Sequence, residues 1–184
     1  MCHVRNNQLY EASFHAPIFE GLGVSGCETC HGNHKIERPS EAMLGAGDAS
    51  SCGQCHAQEQ DDPGFSRGIE MKNILDSLST RLEEATALVN TAGTQGMEVS
   101  ELQFSLRDIR QSYIEGRTAI HSFDPEEVRK TASPGMELAV QVDALARLTL
   151  VEHDKRRWWL GGATLILLAI IGGVALRLRQ IEKE

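Results

Sequence analysis

The sequence predicts a mainly α chain in three parts: a loop-rich N-terminal region packed on a bound group, an antiparallel helical hairpin or three-helix coiled-coil stalk, and one C-terminal transmembrane helix. Three observations predict this. All five cysteines lie in the first third, where sustained helical or strand periodicity is missing. Heptad-like apolar stripes fill the middle, and a long apolar run follows Arg157. The boundaries fall at 1–66, 67–153 and 154–184, with the span over about 158–176.

Residues 1 to about 65 are rich in Gly, Ser, His and Cys and cannot bury enough apolar surface to fold unaided. A cofactor must serve as their core. From about Arg67 a helical face carries Met71, Ile74, Leu75, Leu78, Leu82, Leu88 and Val89, ending near Asn90 to Gly96. A second helix from about Glu98 places Val99, Leu102, Leu106, Ile109, Tyr113 and Ile120 on a heptad seam, so the two should pair antiparallel. Asp124 is a good N-cap, Pro125 suits the first helical position, and Glu126 and Glu127 suit the positive helix end. Pro134-Gly135 should break or kink this third helix. Leu138, Val142, Leu145 and Leu148 then resume a stripe that runs toward the membrane.

Trp158 to Leu176 is apolar apart from the Thr164 hydroxyl and the interfacial tryptophans, and at about 1.5 Å per residue it is about 28 Å long, enough to cross a bilayer. Trp158 and Trp159 suit the water–lipid interface. Lys155, Arg156 and Arg157 on one side face Arg177, Arg179 and Lys183 on the other, so flanking charge alone leaves the orientation open. The formal net charge of -8 excludes a nucleic-acid binder, which needs Lys and Arg against phosphates.

Two segments read Cys-x-x-Cys-His: Cys27-Glu28-Thr29-Cys30-His31 and Cys52-Gly53-Gln54-Cys55-His56. This is the haem c attachment signature, because two thiols at this spacing add to the two porphyrin vinyls while the adjacent His reaches the iron. Cys2-His3 fits the end of a third motif, which makes the count two complete haem c sites plus one partial, and leads one to expect further sequence and an export signal upstream. A zinc ribbon is the competing use of paired Cys-x-x-Cys, but four thiolates have no need of His31 and His56. Disulfides are disfavoured at this spacing.

Low-spin haem iron takes a second, distal ligand. His34 is too close in sequence to His31 to cap the same iron, so it would serve a neighbour, and His15 sits in a loop from which it could do likewise. His121 is a weaker candidate beside the second helix's seam, equally suited to capping the helix end. His153 falls in the charged membrane flank, and Met43 ranks below the histidines as an axial ligand.

The segment Tyr10-Glu11-Ala12-Ser13-Phe14-His15, followed by Cys27 to His31, Gly32, Asn33 and His34 and then by Cys52 to His56, resembles the multihaem class III-like cytochromes c. The resemblance covers roughly the first third. It implies closely packed bis-histidine haems that pass electrons in sequence, with His15 and His34 as distal ligands. The anchor after the haems departs from the quinol-oxidising tetrahaem family, whose anchor precedes them.

No catalytic constellation stands out beyond the haem ligands. The expected function is therefore electron transfer in a respiratory chain, with the stalk tethering the haems near the membrane. Since covalent haem attachment takes place outside the cytoplasm, a single-pass anchor in the cytoplasmic membrane would leave the haem region periplasmic and the C-terminus cytoplasmic. Expected partners are the bilayer, redox proteins or the quinone pool, and further copies or subunits joined through the helices. A haem-based sensor subunit and a multihaem reductase subunit are the alternatives.

Overall fold

The computed structural model describes residues 3–36, 38–45, 50–56 and 62–183. Among the described residues there are six α-helices: α1 Val4–Glu11, α2 His15–Leu22, α3 Gly26–His31, α4 Pro63–Thr94, α5 Ser100–Ala119 and α6 Pro125–Ile181. Short 3-10 turns cover Glu41–Met43, Cys52–Gln54 and Ile120–Ser122. The mainly α fold with a loop-rich N-terminal region is as expected. Helices α1 to α3 were not legible in advance, because six to eight residues are too few to display a 3.6-residue period.

Helix α4 begins four residues earlier than the apolar stripe suggested. The Asp62 carboxylate accepts from the backbone N–H groups of Gly64 and Phe65, and Pro63 occupies the first turn, where a missing N–H is harmless. Its buried positions Met71, Leu75, Leu78, Leu82, Ala85, Val89 and Ala92 recur at alternating four- and three-residue intervals, so one narrow seam faces the other two helices. Leu75, Leu78, Val89, Ile109, Val128 and Val142 are the largest fully buried side chains, drawn from α4, α5 and α6. The three helices form one elongated bundle, with α6 running along both α4 and α5.

Two expectations about α6 are corrected. Pro134 does not break it into two helices: one helix runs from Pro125 to Ile181. Pro134 is exposed, while Ala132 and Gly135 on either side of it are buried in the bundle. Packing of these flanking residues holds the helical path across the lost hydrogen bond. Gly135 is a close-approach residue and not a breaker, since a Cβ there would run into the Ser112 side chain on α5. The buried face of α6 is also rotated from the leucine stripe. Ala139, Val142 and Ala146 are buried, Leu138 only partly, and Leu145 and Leu148 are exposed. Small residues allow the close helix approach, and a search weighted toward large apolar side chains passes over them.

The far part of α6 leaves the bundle. An 18-residue window in it reaches a mean hydropathy of 2.2 with none of it buried, which makes this helix long and apolar enough to cross a membrane.

A candidate haem centre at one end of the bundle

The N-terminal elements dock where α4 begins, α5 ends and α6 begins. Cys52 packs with a cluster of Leu44, Met71, Leu75, Ala119 and Val128. Arg117 on α5 pairs with Glu41 at 3.1 Å and also bonds the Pro39 carbonyl, which clamps the loop between the two cysteine motifs to the bundle. The motifs are joined directly: Ser51 Oγ donates to the Cys30 carbonyl at 2.9 Å. Burial first, then the neighbouring thiols of Cys52, Cys55 and Cys27, push the Cys30 thiol above its ordinary pKa.

Each motif histidine faces a second histidine brought from elsewhere in the chain. His56 and His15 have ring centroids 6.1 Å apart, with planes crossing at 73°. His31 and His121 are also 6.1 Å apart, with near-parallel rings at 21°. Two imidazoles that bind one metal from opposite sides, each at a metal–nitrogen distance of about 2 Å, would have centroids about 6 Å apart. Both pairs fit that spacing.

The nitrogens not needed for a metal are largely accounted for. His56 Nδ1 donates to Asp62 Oδ1 at 3.0 Å, and His121 Nδ1 donates to the Thr118 carbonyl at 3.0 Å. In both rings this fixes the tautomer that leaves Nε2 with a free lone pair, as ligating histidines require. His15 Nδ1 is buried without a hydrogen-bond partner. Its ring lies on Phe123 at a centroid distance of 3.9 Å and edge-on to Phe19 at 5.7 Å. Phe123 has φ 55, the one left-handed non-glycine among the described residues. That uncommon backbone state turns the chain from the Ile120–Ser122 turn into α6 and sets the phenyl ring against His15.

Burial lowers the pKa of both His15 and His121, with smaller contributions from His56 for the first and from His31 and His3 for the second. In both rings burial favours the neutral form, the one that coordinates metal.

The other sequence candidates lie as follows. His34 is exposed and its Nδ1 meets Asn33 Oδ1 at 2.6 Å. His3 is exposed ahead of α1, and Cys2 lies outside the described residues. Met43 participates through its carbonyl, which accepts from the Ser51 N–H at 2.9 Å. His153 Nδ1 lies 3.4 Å from Asp154 Oδ1 at the other end of the bundle. Cys27, Cys30, Cys52 and Cys55 form no disulfide among the described residues. Among the described residues no group of three or more His, Cys, Asp or Glu converges on a metal position, whereas a zinc ribbon brings four ligands to one point.

Comparison with known proteins bears on the two motifs. The doubled CXXCH motif family matches residues 15–61, which hold both motifs and His15. The chain is 25% identical to cytochrome c-552 of Haemophilus influenzae over 164 aligned residues, covering 74% of this chain. The chain is thus similar to multihaem c-type cytochromes, through its paired motifs and through a weaker likeness over most of its length. It spans about 30% of the length of that curated relative. No solved structure matches it.

These similarities support haem c as the bound group and haem-based electron transfer as its general use. When bound, haem would supply an iron that exchanges one electron at a time, with His31 and His56 as the motif residues that would hold it. Sequence reasoning missed two contributors to the site, Asp62 and Phe123. The Asp-Pro pair soon after His56 was a usable N-cap signal for the first; nothing in the local sequence marks the second.

Proposed function

We propose that the chain is a single-pass, membrane-anchored electron carrier of a respiratory chain, with two bis-histidine haems. Cys27, Cys30 and His31 hold one haem, completed by His121. Cys52, Cys55 and His56 hold the other, completed by His15. The observation that carries this assignment is the recurrence of one 6.1 Å histidine–histidine spacing at both motifs. The contact between Ser51 and Cys30 supports electron passage between two adjacent haems. On this reading residues 1–66 form the haem region, 67–153 the stalk and 154–184 the anchor. The haem region lies on the periplasmic face, where covalent attachment takes place, and the tail after Leu176 lies in the cytoplasm.

Replacing the distal ligands tests the assignment. His15→Ala and His121→Ala should each turn one haem high-spin in the optical and electron paramagnetic resonance spectra, and His34→Ala should leave both low-spin. Low-spin spectra in the His121 variant together with a high-spin signal in the His34 variant would reverse it.

A further inference from the structure

The two histidine pairs lie at one end of the bundle, and the apolar span leaves from the other. His121 and Phe123 immediately precede α6, while Val128, in its first turn, packs in the cluster that includes Cys52. At the opposite end the core closes with Ala92, Val99, Leu102 and Ala146, packed against Met97 and Leu150. The interfacial Trp158 follows after two more turns of the same helix. At about 1.5 Å per residue, unbroken helix from Pro125 to Trp158 is about 50 Å long.

Because α6 is continuous, the stalk shares whatever tilt the span adopts. Spanning helices tilt by up to about 40° from the bilayer normal, and even that limit would leave the histidine pairs roughly 35 Å above the lipid surface. The intervening bundle offers no further haem site. It has no cysteine, and its histidines are His121 at the haem end and His153 at the membrane end. Electron tunnelling falls off exponentially with distance, so this separation prevents direct exchange with a molecule dissolved in the bilayer. With α6 crossing the membrane, the stalk would hold the haem sites away from the lipid surface.

We propose that these two haem sites are served from the water side, by a one-electron protein carrier that docks at the membrane-distal end, and not by a quinol in the bilayer. In each exchange one electron leaves the reduced carrier and one ferric iron becomes ferrous; no bond to the iron forms or breaks and no proton is needed. A quinol would instead release two electrons and two protons at the lipid surface, far from either iron. This inference rests on the reading that the chain holds haem and that α6 crosses the membrane.

The test uses the haem-loaded chain in phosphatidylcholine nanodiscs. A pyridine haemochrome spectrum and resistance to alkaline carbonate extraction first check the underlying reading, and failure at that step overturns that reading. With both in place, a long-chain menaquinol confined to the bilayer should reduce the haems no faster than a quinol-free control, while reduced soluble cytochrome of lower potential reduces them promptly. Reduction that rises and saturates with quinol content of the bilayer would overturn the proposal. Neutron reflectometry on a supported bilayer gives a readout independent of electron transfer. Protein density should extend about 50 Å above the headgroups, and a layer lying flat on the lipid would contradict it.

Discussion

His56 Nδ1 and Asp62 Oδ1 are 3.0 Å apart, and the same carboxylate oxygen accepts from the N–H of Gly64 at 2.8 Å and of Phe65 at 3.1 Å. One atom therefore caps α4 and orients a motif histidine, which makes Asp62 one of the links between the haem region and the stalk. The Phe65 N–H bond is the leading cause that holds the Asp62 carboxyl below its ordinary pKa, with the Gly64 N–H and His56 adding to it.

Asp62→Asn separates the two roles. Asparagine caps helices as well as aspartate does, so thermal stability should change little. The lost negative charge beside His56 favours the reduced iron, and the potential of one haem should rise in a spectroelectrochemical titration while the other stays fixed. Asp62→Ala removes both roles and should also lose about 1 kcal/mol of stability. An unchanged potential in both variants would remove Asp62 from the ligand's support.

Neighbouring substitutions in α6 should act in opposite directions. Pro134→Ala restores an N–H at an exposed position of an otherwise continuous helix and should stabilise the bundle, by up to about 3 kcal/mol. Gly135→Ala pushes a methyl group into Ser112 across the α5–α6 contact and should destabilise by about 1–3 kcal/mol. Thermal unfolding of detergent-solubilised protein, followed by far-ultraviolet circular dichroism, measures both. Destabilisation on replacing Pro134 would show that the helix is adapted to the proline.

The Asp143–Arg147 pair gives a pH dependence of known sign. Hydrogen bonds from Arg147, at 2.7 Å and 3.0 Å, hold the Asp143 carboxyl below its ordinary value of 3.8. A depressed carboxyl contributes stability that is complete above the unfolded value and is lost as pH falls through the folded one. Asp143→Asn should therefore lower the unfolding midpoint slightly at neutral pH and leave it unchanged once the native carboxyl is protonated. The effect is small, because the Arg147 side chain is exposed and solvent screens the pair.

Stopping the chain after Arg157 removes the only candidate span among the described residues. The shortened protein should move from the membrane to the soluble fraction while keeping its haem spectrum, since the histidine pairs lie at the other end of the bundle. Cell fractionation with haem staining distinguishes this from retention on the membrane.

Much of this architecture could be read from the sequence, and the parts that could not share a cause. The Cys-x-x-Cys-His motifs are local, so their roles are encoded in contiguous residues. The α4 seam and the apolar run announce themselves by periodicity and length. The distal ligands are a tertiary property: His121 meets His31 only because α5 returns to the haem end, whereas His34, nearer in sequence, stays on the surface. Likewise Ala139 and Ala146 pack tightly because they are small, while Leu145 and Leu148 drew attention to the wrong face. Pro134 read as a break because local propensity cannot register the packing of Ala132 and Gly135 around it.

The central claim is that both motifs hold haem between two histidines, and near-infrared magnetic circular dichroism of the oxidised, haem-loaded chain tests it most directly. The account predicts that both complete sites show the charge-transfer band of bis-histidine low-spin iron. A histidine–methionine band, or a high-spin signal from either site, would contradict it.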